Sequence, residues 1–236
     1  MKIRILRTRD FMSRRTHGAE NLKQRVRLSE VGDLARAGMR IAYEVLDEAG
    51  VQGWLTWGSI LGFHREGGFL AHDNDVDIAV PIDAVTPAIV DRMAQNGLHL
   101  FRETGFSGKI FNRKFLYQGC AVDFYGMEDH GDRYMSKSRY GKSCLVYSHP
   151  KLPLMRRSFE GTEVWVPQDT EAYVRHIFGE GWVRRPPPGW HNSFSLPNLI
   201  RIEGTPIALV DLARRVTKWQ VGAGMERLGV GRSKNG

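Results

Sequence analysis

The sequence is poor in cysteine, with only Cys120 and Cys144. It has no internal repeat, no low-complexity tract and a single proline-rich stretch at Pro186, Pro187 and Pro188. Two thiols are too few for a disulfide framework or a four-cysteine zinc site, so a reducing compartment is expected. The chain also lacks the roughly 18 consecutive apolar residues that a spanning helix needs. At the N-terminus Lys2, Arg4, Arg7 and Arg9 interrupt the apolar residues, a pattern that fits no leader peptide, and the expected location is cytoplasmic.

What is present is the composition of an ordinary globular chain: 236 residues, 42% hydrophobic, 25% charged and 10% aromatic. At roughly 150 residues per domain the length admits one large or two small units, and one is the simpler expectation. The formal net charge of +8 is unevenly spread. Residues 1–28 carry nine Lys/Arg against two acids and residues 184–236 nine against three, which leaves residues 29–183 at −5. The expected organisation is a basic N-terminal extension over 1–28, a central domain over 29–187 and a basic C-terminal extension over 188–236. Clustered Lys/Arg concentrate polyanions near such ends, although solvated tails that keep the chain soluble are the plainer reading.

Val31, Leu34, Gly38, Ile41, Val45 and Leu46 recur at helical spacing after Ser29, a plausible N-cap, and predict a helix toward Gly50. Residues 51–57 (VQGWLTW) predict a strand running into Gly58-Ser59, with a helix starting near Ile60. Strands are expected over 73–80, 98–103, 111–116, 121–125 and 163–166, and helices over 87–96, 167–179 and 207–220. This alternation is that of a mixed α/β (α+β) domain.

The chemistry concentrates in residues 73–80 (DNDVDIAV), where Asp73, Asp75 and Asp77 alternate with other residues, so a strand puts all three on one face. Asp123 stands alone between Val122 and Phe124 on a later strand. Like charges gathered this way need a cation. Mg²⁺ takes hard oxygen ligands, usually one or two carboxylates plus substrate phosphates, and Mn²⁺ is an alternative. Gly58-Ser59 adds a glycine that lets backbone approach a phosphate, with hydroxyl and N–H donors at a helix start. Together these features point to phosphoryl-group chemistry. A calcium loop does not fit, because Ile78 and Ala84 stand where such a loop needs Gly and Glu.

Residues 54–78 (WLTWGSILGFHREGGFLAHDNDVDI) resemble the signature of the LicD/fukutin family, a Gly-Thr-Leu-Leu-Gly…Arg…Gly…Trp-Asp-Asp-Asp-Ile-Asp pattern. A second patch, Phe159-Glu-Gly…Pro167…Glu171-Ala-Tyr…Phe178-Gly179-Glu-Gly-Trp182, resembles the family's later Phe-Glu-Gly…Pro…Tyr-Gly-Asp-Trp block. The resemblance spans residues 31–187. Ser59 replaces the usual Thr, Ile60 a Leu, His72 the Trp and Asn74 one Asp of the run.

The resemblance implies a nucleotidyltransferase-like (polymerase-β-type) mixed sheet flanked by helices, a single domain with basic terminal extensions. It also implies an enzyme that moves phosphocholine, ribitol phosphate or glycerol phosphate from a CDP-activated donor to a glycan hydroxyl, releasing CMP. Carried over residue by residue, Asp75 and Asp77 form the catalytic pair and Asp123 the third acid, with Asp73 joining them in the metal set. Asp73 with Asp75 is an alternative pair. Asp123 would accept the acceptor's proton or complete a second metal site. Gly58, Ser59, Arg65, Lys109, Arg113 and Lys114 are the candidates for the donor's anionic groups.

Expected partners are the CDP-linked alcohol, a glycan or lipid-linked glycan acceptor, and an anionic inner membrane face met by the basic ends. The alternative is a nucleotidyltransferase attaching NMP to a small molecule, protein or RNA. A pure nucleic-acid module fits poorly, since three clustered aspartates repel phosphates. His64 and His72 read as partly exposed polar residues, Cys120 as a small buried one, and Glu160 and Glu171 as surface charge. Most of Trp54, Trp57, Trp165, Trp182, Trp190, Tyr125, Tyr140, Tyr147 and Tyr173 read as core rather than as a cage for a quaternary ammonium.

Overall fold

The computed structural model describes residues 2–5, 11–15, 28–71, 73, 75–140, 143–184 and 197–204. The helix expected over 207–220 and the residues His72, Asn74 and Trp190 lie outside them. Helices are α1 (Leu28–Glu48), α2 (Trp57–Glu66), α3 (Pro87–Gln95) and α4 (Thr170–Phe178), followed by a 3₁₀ turn at Glu180–Val183. The strands are β1 (Lys2–Ile5), β2 (Phe11–Arg15), β3 (Trp54–Leu55), β4 (Asp75–Pro81), β5 (His99–Phe106), β6 (Lys109–Tyr117), β7 (Cys120–Asp129), β8 (Arg133–Tyr140), β9 (Ser143–Pro150), β10 (Leu154–Phe159), β11 (Thr162–Pro167) and β12 (Leu199–Gly204). The domain is thus α+β, a large mixed sheet flanked by helices, as a nucleotidyltransferase-like fold requires.

The sheet is organised around β4 and β7, which run parallel with Asp77 opposite Asp123. On the other side β4 pairs antiparallel with β3, which leads to β11 and then β10. β7 also pairs antiparallel with β6, which carries β5 and β2 beyond it, while the far end of β7 pairs with β8 and continues through β9 and β12 to β1. Strands from both basic ends therefore join the sheet, β2 on β5 and the parallel pair β1–β12 on β9.

One face of the central strands is core. Ala35, Met39, Ala42, Val45 and Leu46 recur along α1 at three- and four-residue spacing and are buried with Val76, Ile78, Val122 and Phe124. A Cβ on Gly38 would lie 3.0 Å from Val122 Cγ2, so this glycine sets how closely α1 approaches β7. The alternate residues Asp75, Asp77, Asp123 and Tyr125 face the other way, toward α2.

The expected strand over 51–57 is shorter than its composition suggests. Only Trp54 and Leu55 pair with β4, and α2 begins at Trp57, because Thr56 is extended as its N-cap and donates its N–H to the carbonyl of Asp77. The helix expected over 167–179 spans Thr170–Phe178: Pro167 belongs to β11, and the Asp169 carboxylate accepts from Ala172 N to start α4. Cys120 and Cys144 are buried and not joined in a disulfide, their thiols pushed up by burial to about 11 and about 12, which leaves them protonated at neutral pH.

Candidate active site

Asp75 and Asp77 project from β4, but Asp73 precedes the strand, in a turn where its N–H donates to the carbonyl of Leu70. The expectation of three carboxylates on one strand face is corrected to that extent. The turn nevertheless brings Asp73 to the same place: one carboxylate oxygen from each of Asp73, Asp75 and Asp77 lies within 4.8 Å of the others. Asp123, 3% exposed, stands beside Asp77 in the parallel register.

Gly58-Ser59 opens α2 directly against this cluster. Gly58 N donates to Asp77 Oδ2 at 2.9 Å, and Asp77 N donates to Ser59 Oγ at 2.8 Å. The pair therefore grips Asp77 at both backbone and side chain, and the 2%-exposed Ser59 hydroxyl is used in that grip. A Cβ at Gly58 would overlap the Asp73 carboxylate. Just before it Trp57 has φ +42, an uncommon conformation for so bulky a residue, with its ring against Tyr125, Tyr147 and His149.

Across the site, β6 contributes Asn112 and Lys114. Asn112 Nδ2 donates to Asp123 Oδ1 at 3.2 Å; Lys114 Nζ pairs with Asp123 Oδ2 and lies 3.8 Å from Asp75 Oδ2. Burial, then the charges of Asp75, Asp73 and Asp123, drive the pKa of Asp77 well above the ordinary carboxylate range, while the Gly58 N–H opposes the shift. Burial raises Asp123 too, against the pull of Lys114. Tyr125, hydrogen-bonded to Asp77, is likewise raised by burial and by the surrounding carboxylates. Such a set, rich in hard oxygen donors and poor in compensating charge, can hold a hard divalent cation and an anion carried with it.

The other expected phosphate contacts lie elsewhere. Arg113, next to Lys114 but on the opposite face of β6, donates to Glu103 at 2.9 Å, and Lys109 pairs with Glu128 at 2.6 Å near the strand end. Arg65 donates to Glu66 at 2.8 Å and to the carbonyl of Trp182 at 3.2 Å, tying α2 to the 3₁₀ turn. His64 bonds Thr170 Oγ1 at 3.0 Å and packs on Trp182. Glu171 is an exposed partner of Arg175, as expected, but Glu160 is half-buried and bonded to Arg36 and to Phe69 N.

A buried polar network supports the β3–α2 junction. Tyr173 OH meets Trp54 Nε1 and Thr56 Oγ1, each at 3.2 Å, and His149 Nδ1 at 3.3 Å, while His149 Nε2 meets Ser136 Oγ at 2.8 Å. Sequence reasoning had no signal for His149. Burial lowers its pKa from 6.5 to about 3, so the ring is neutral in the folded protein. Between those values the unfolded chain binds one more proton than the native one. Stability contributed by this histidine is thus present above pH 6.5 and declines as pH falls, by about 1.4 kcal/mol per pH unit. Urea unfolding from pH 7 to 4.5 is expected to show His149→Gln with a shallower acid decline than wild type; equal slopes would contradict the neutral ring.

Residues 50–169 match the family model described as LicD/FKTN/FKRP, nucleotidyltransferase domain. The mouse protein named ribitol-5-phosphate transferase FKTN is 28% identical over 174 residues, and its human counterpart 27% over 169. In each case the match covers 70% of this chain and 36% of the relative, so the chain spans about a third of the length of the curated relatives it matches. The matched segment contains every aspartate of the cluster, Gly58-Ser59 and Lys114. The chain belongs to the LicD/FKTN/FKRP nucleotidyltransferase-domain family.

Proposed function

We propose that this domain is a divalent-metal-dependent transferase that moves a phosphorylated alcohol from a CDP-linked donor to a glycan hydroxyl. The observation that carries the reading is the convergence of Asp73, Asp75 and Asp77 on one point, against the first turn of α2. Three hard oxygen donors with no thiolate or imidazole among them suit Mg²⁺ or Mn²⁺. When bound there, the ion neutralises the donor's pyrophosphate and the charge that develops on the leaving group.

The chain's own groups account for the rest. Lys114 places an ammonium beside Asp75 and Asp123, where it faces the transferred phosphate. Asp123, raised by burial above the ordinary carboxylate value, accepts the proton of the attacking hydroxyl. The hydroxyl oxygen bonds to the phosphorus bearing the alcohol, the bond from that phosphorus to CMP breaks, and CMP leaves. Ribitol phosphate is the first alcohol to test, since the relatives are named ribitol-5-phosphate transferases. The basic ends suit a polyanionic acceptor or an anionic membrane face. No helix of the described residues is long and apolar enough to cross a membrane.

The test is to incubate the protein with Mg²⁺ and CDP-ribitol, CDP-glycerol, CDP-choline or nucleoside triphosphates, with and without a glycan acceptor. Metal-dependent CMP release from a CDP-alcohol is the expected result. Pyrophosphate release from a triphosphate alone would overturn it in favour of NMP transfer.

A further inference from the structure

The late block containing Phe159, Glu160 and Gly161 lies far in sequence from the aspartates, yet it closes on the loop that carries one of them. β10 and β11 pair with Phe159 opposite Thr162, which leaves Glu160 and Gly161 as a two-residue turn with φ +50 and +78. Turns of this kind favour Asn-Gly. The β5–β6 and β6–β7 hairpins use the same geometry, with Ser107 (φ +49) before Gly108 and Gln118 (φ +47) before Gly119. Ser107 and Gln118 are exposed, whereas Glu160 is half-buried and its side chain reaches across the molecule.

Glu160 Oε1 accepts from Phe69 N at 3.1 Å and Oε2 from Arg36 Nη1 at 2.9 Å. A Cβ on Gly68 would come within 2.7 Å of Glu160 Oε1, so the loop is pressed against this carboxylate. Phe159 packs its ring edge-on against Phe63 of α2 and Phe69 of the loop. On the other side the loop rests on the glycine face of α2: a Cβ on Gly62 would lie 2.6 Å from the carbonyl of Gly68, and one on Gly58 would overlap the Asp73 carboxylate. Residues 68–70 are thus held between α2 and the turn of the late block, and Asp73 donates its N–H back to the carbonyl of Leu70.

We propose that Glu160 is a positioning residue for the metal centre, and that its carboxylate clamps Phe69 N so that the loop delivers Asp73 to Asp75 and Asp77. The inference rests on the proposed metal site and deepens it. It gives the late block a task at the catalytic centre without any direct contact with the reacting atoms. Groups that orient metal ligands in this way typically contribute about 10-fold or more to metal affinity.

The experiment is a Mn²⁺ titration of the full chain by electron paramagnetic resonance, with wild type, Glu160→Asn, Glu160→Gln, Asp73→Asn and the Asp73→Asn/Glu160→Asn double variant. Asn suits the turn better than Glu but is too short to reach Phe69, so Glu160→Asn removes the clamp without disturbing the hairpin. Gln keeps an acceptor for Phe69 N. The expected result is an affinity about 10-fold weaker for Glu160→Asn, near wild type for Glu160→Gln, and no further loss in the double variant beyond Asp73→Asn alone. Wild-type affinity in Glu160→Asn, failure of Gln to preserve it, or full additivity in the double variant would each overturn the clamp while leaving the metal site standing. A wild-type protein that binds no Mn²⁺ would overturn the metal site and the clamp together.

Discussion

Asp77→Asn is expected to lower metal-dependent CMP release about 10³-fold, because losing the ion's grip removes several kcal/mol of charge stabilisation and each 1.4 kcal/mol is a factor of ten. The same substitution should leave the melting temperature in EDTA unchanged or higher. Asp77 is 6% exposed and crowded by three other carboxylates, and its raised pKa means that the ionised form costs stability at neutral pH. Asn keeps an acceptor for the Gly58 N–H, and the bond from the residue 77 backbone to Ser59 Oγ is untouched. Lost activity with undiminished stability is the signature of a residue kept for function against its folding cost. Full activity would remove Asp77 from the site; an unfolded variant would make it structural. Fluorimetric melting and a CMP assay on one preparation decide between them.

The contrast between Arg113 and Lys114 shows where sequence reasoning stops. Both precede Asp123 and both are basic, and strand alternation says that they point to opposite faces. Which of them meets the aspartates depends on the pairing of β6 with β7, which sets Lys114 opposite Asp123 and sends Arg113 to Glu103. Asp75, Asp77 and Asp123 were legible because each lies on a strand whose alternation is local. Asp73 was legible as a member of the carboxylate cluster but not as a turn residue, since its placement comes from the packing of residues 68–70 on α2. Arg65 was read as a phosphate fork because nothing local announces the carbonyl of Trp182 that it meets.

The same limit applies to the fold. The helix α3 carries its apolar stripe and its Thr86 cap in its own residues, and α1 carries its stripe, but α1 begins at Leu28, so Ser29 lies inside the helix and does not cap it. The β8–β9 hairpin and the strands β1, β2 and β12 carry no such local signal. Lys2–Ile5, Phe11–Arg15 and Leu199–Gly204 are short, basic or mixed segments that become strands by pairing with partners far along the chain. Gly161 was legible as a turn, but Ser107-Gly108 and Gln118-Gly119, each a residue and a glycine between apolar strands, were missed as hairpin signals because neither is Asn-Gly or Asp-Gly.

Two glycines one turn apart on α2 should separate function from stability. At Gly58 an added Cβ meets a movable side chain, the Asp73 carboxylate, with Asp77 Oδ2 at 3.3 Å. Asp73 can swing away, so Gly58→Ala should fold normally, and alanine's helix propensity adds up to about 1 kcal/mol. The displaced carboxylate should nonetheless weaken Mn²⁺ binding by at least about 10-fold and depress CMP release with it. At Gly62 the added Cβ meets backbone, the Gly68 carbonyl at 2.6 Å and Leu70 N at 3.3 Å, and neither atom can rotate out of the way. Gly62→Ala should therefore cost about 1–3 kcal/mol of stability, lower the melting temperature by several degrees, and reduce activity only as far as it shifts the loop that ends at Asp73. Melting curves and Mn²⁺ titrations of the two variants give opposite orders if the glycine face is a seat for that loop. A Gly58→Ala protein that binds Mn²⁺ like wild type would place Asp73 outside the metal set and leave Asp75 and Asp77 as its ligands.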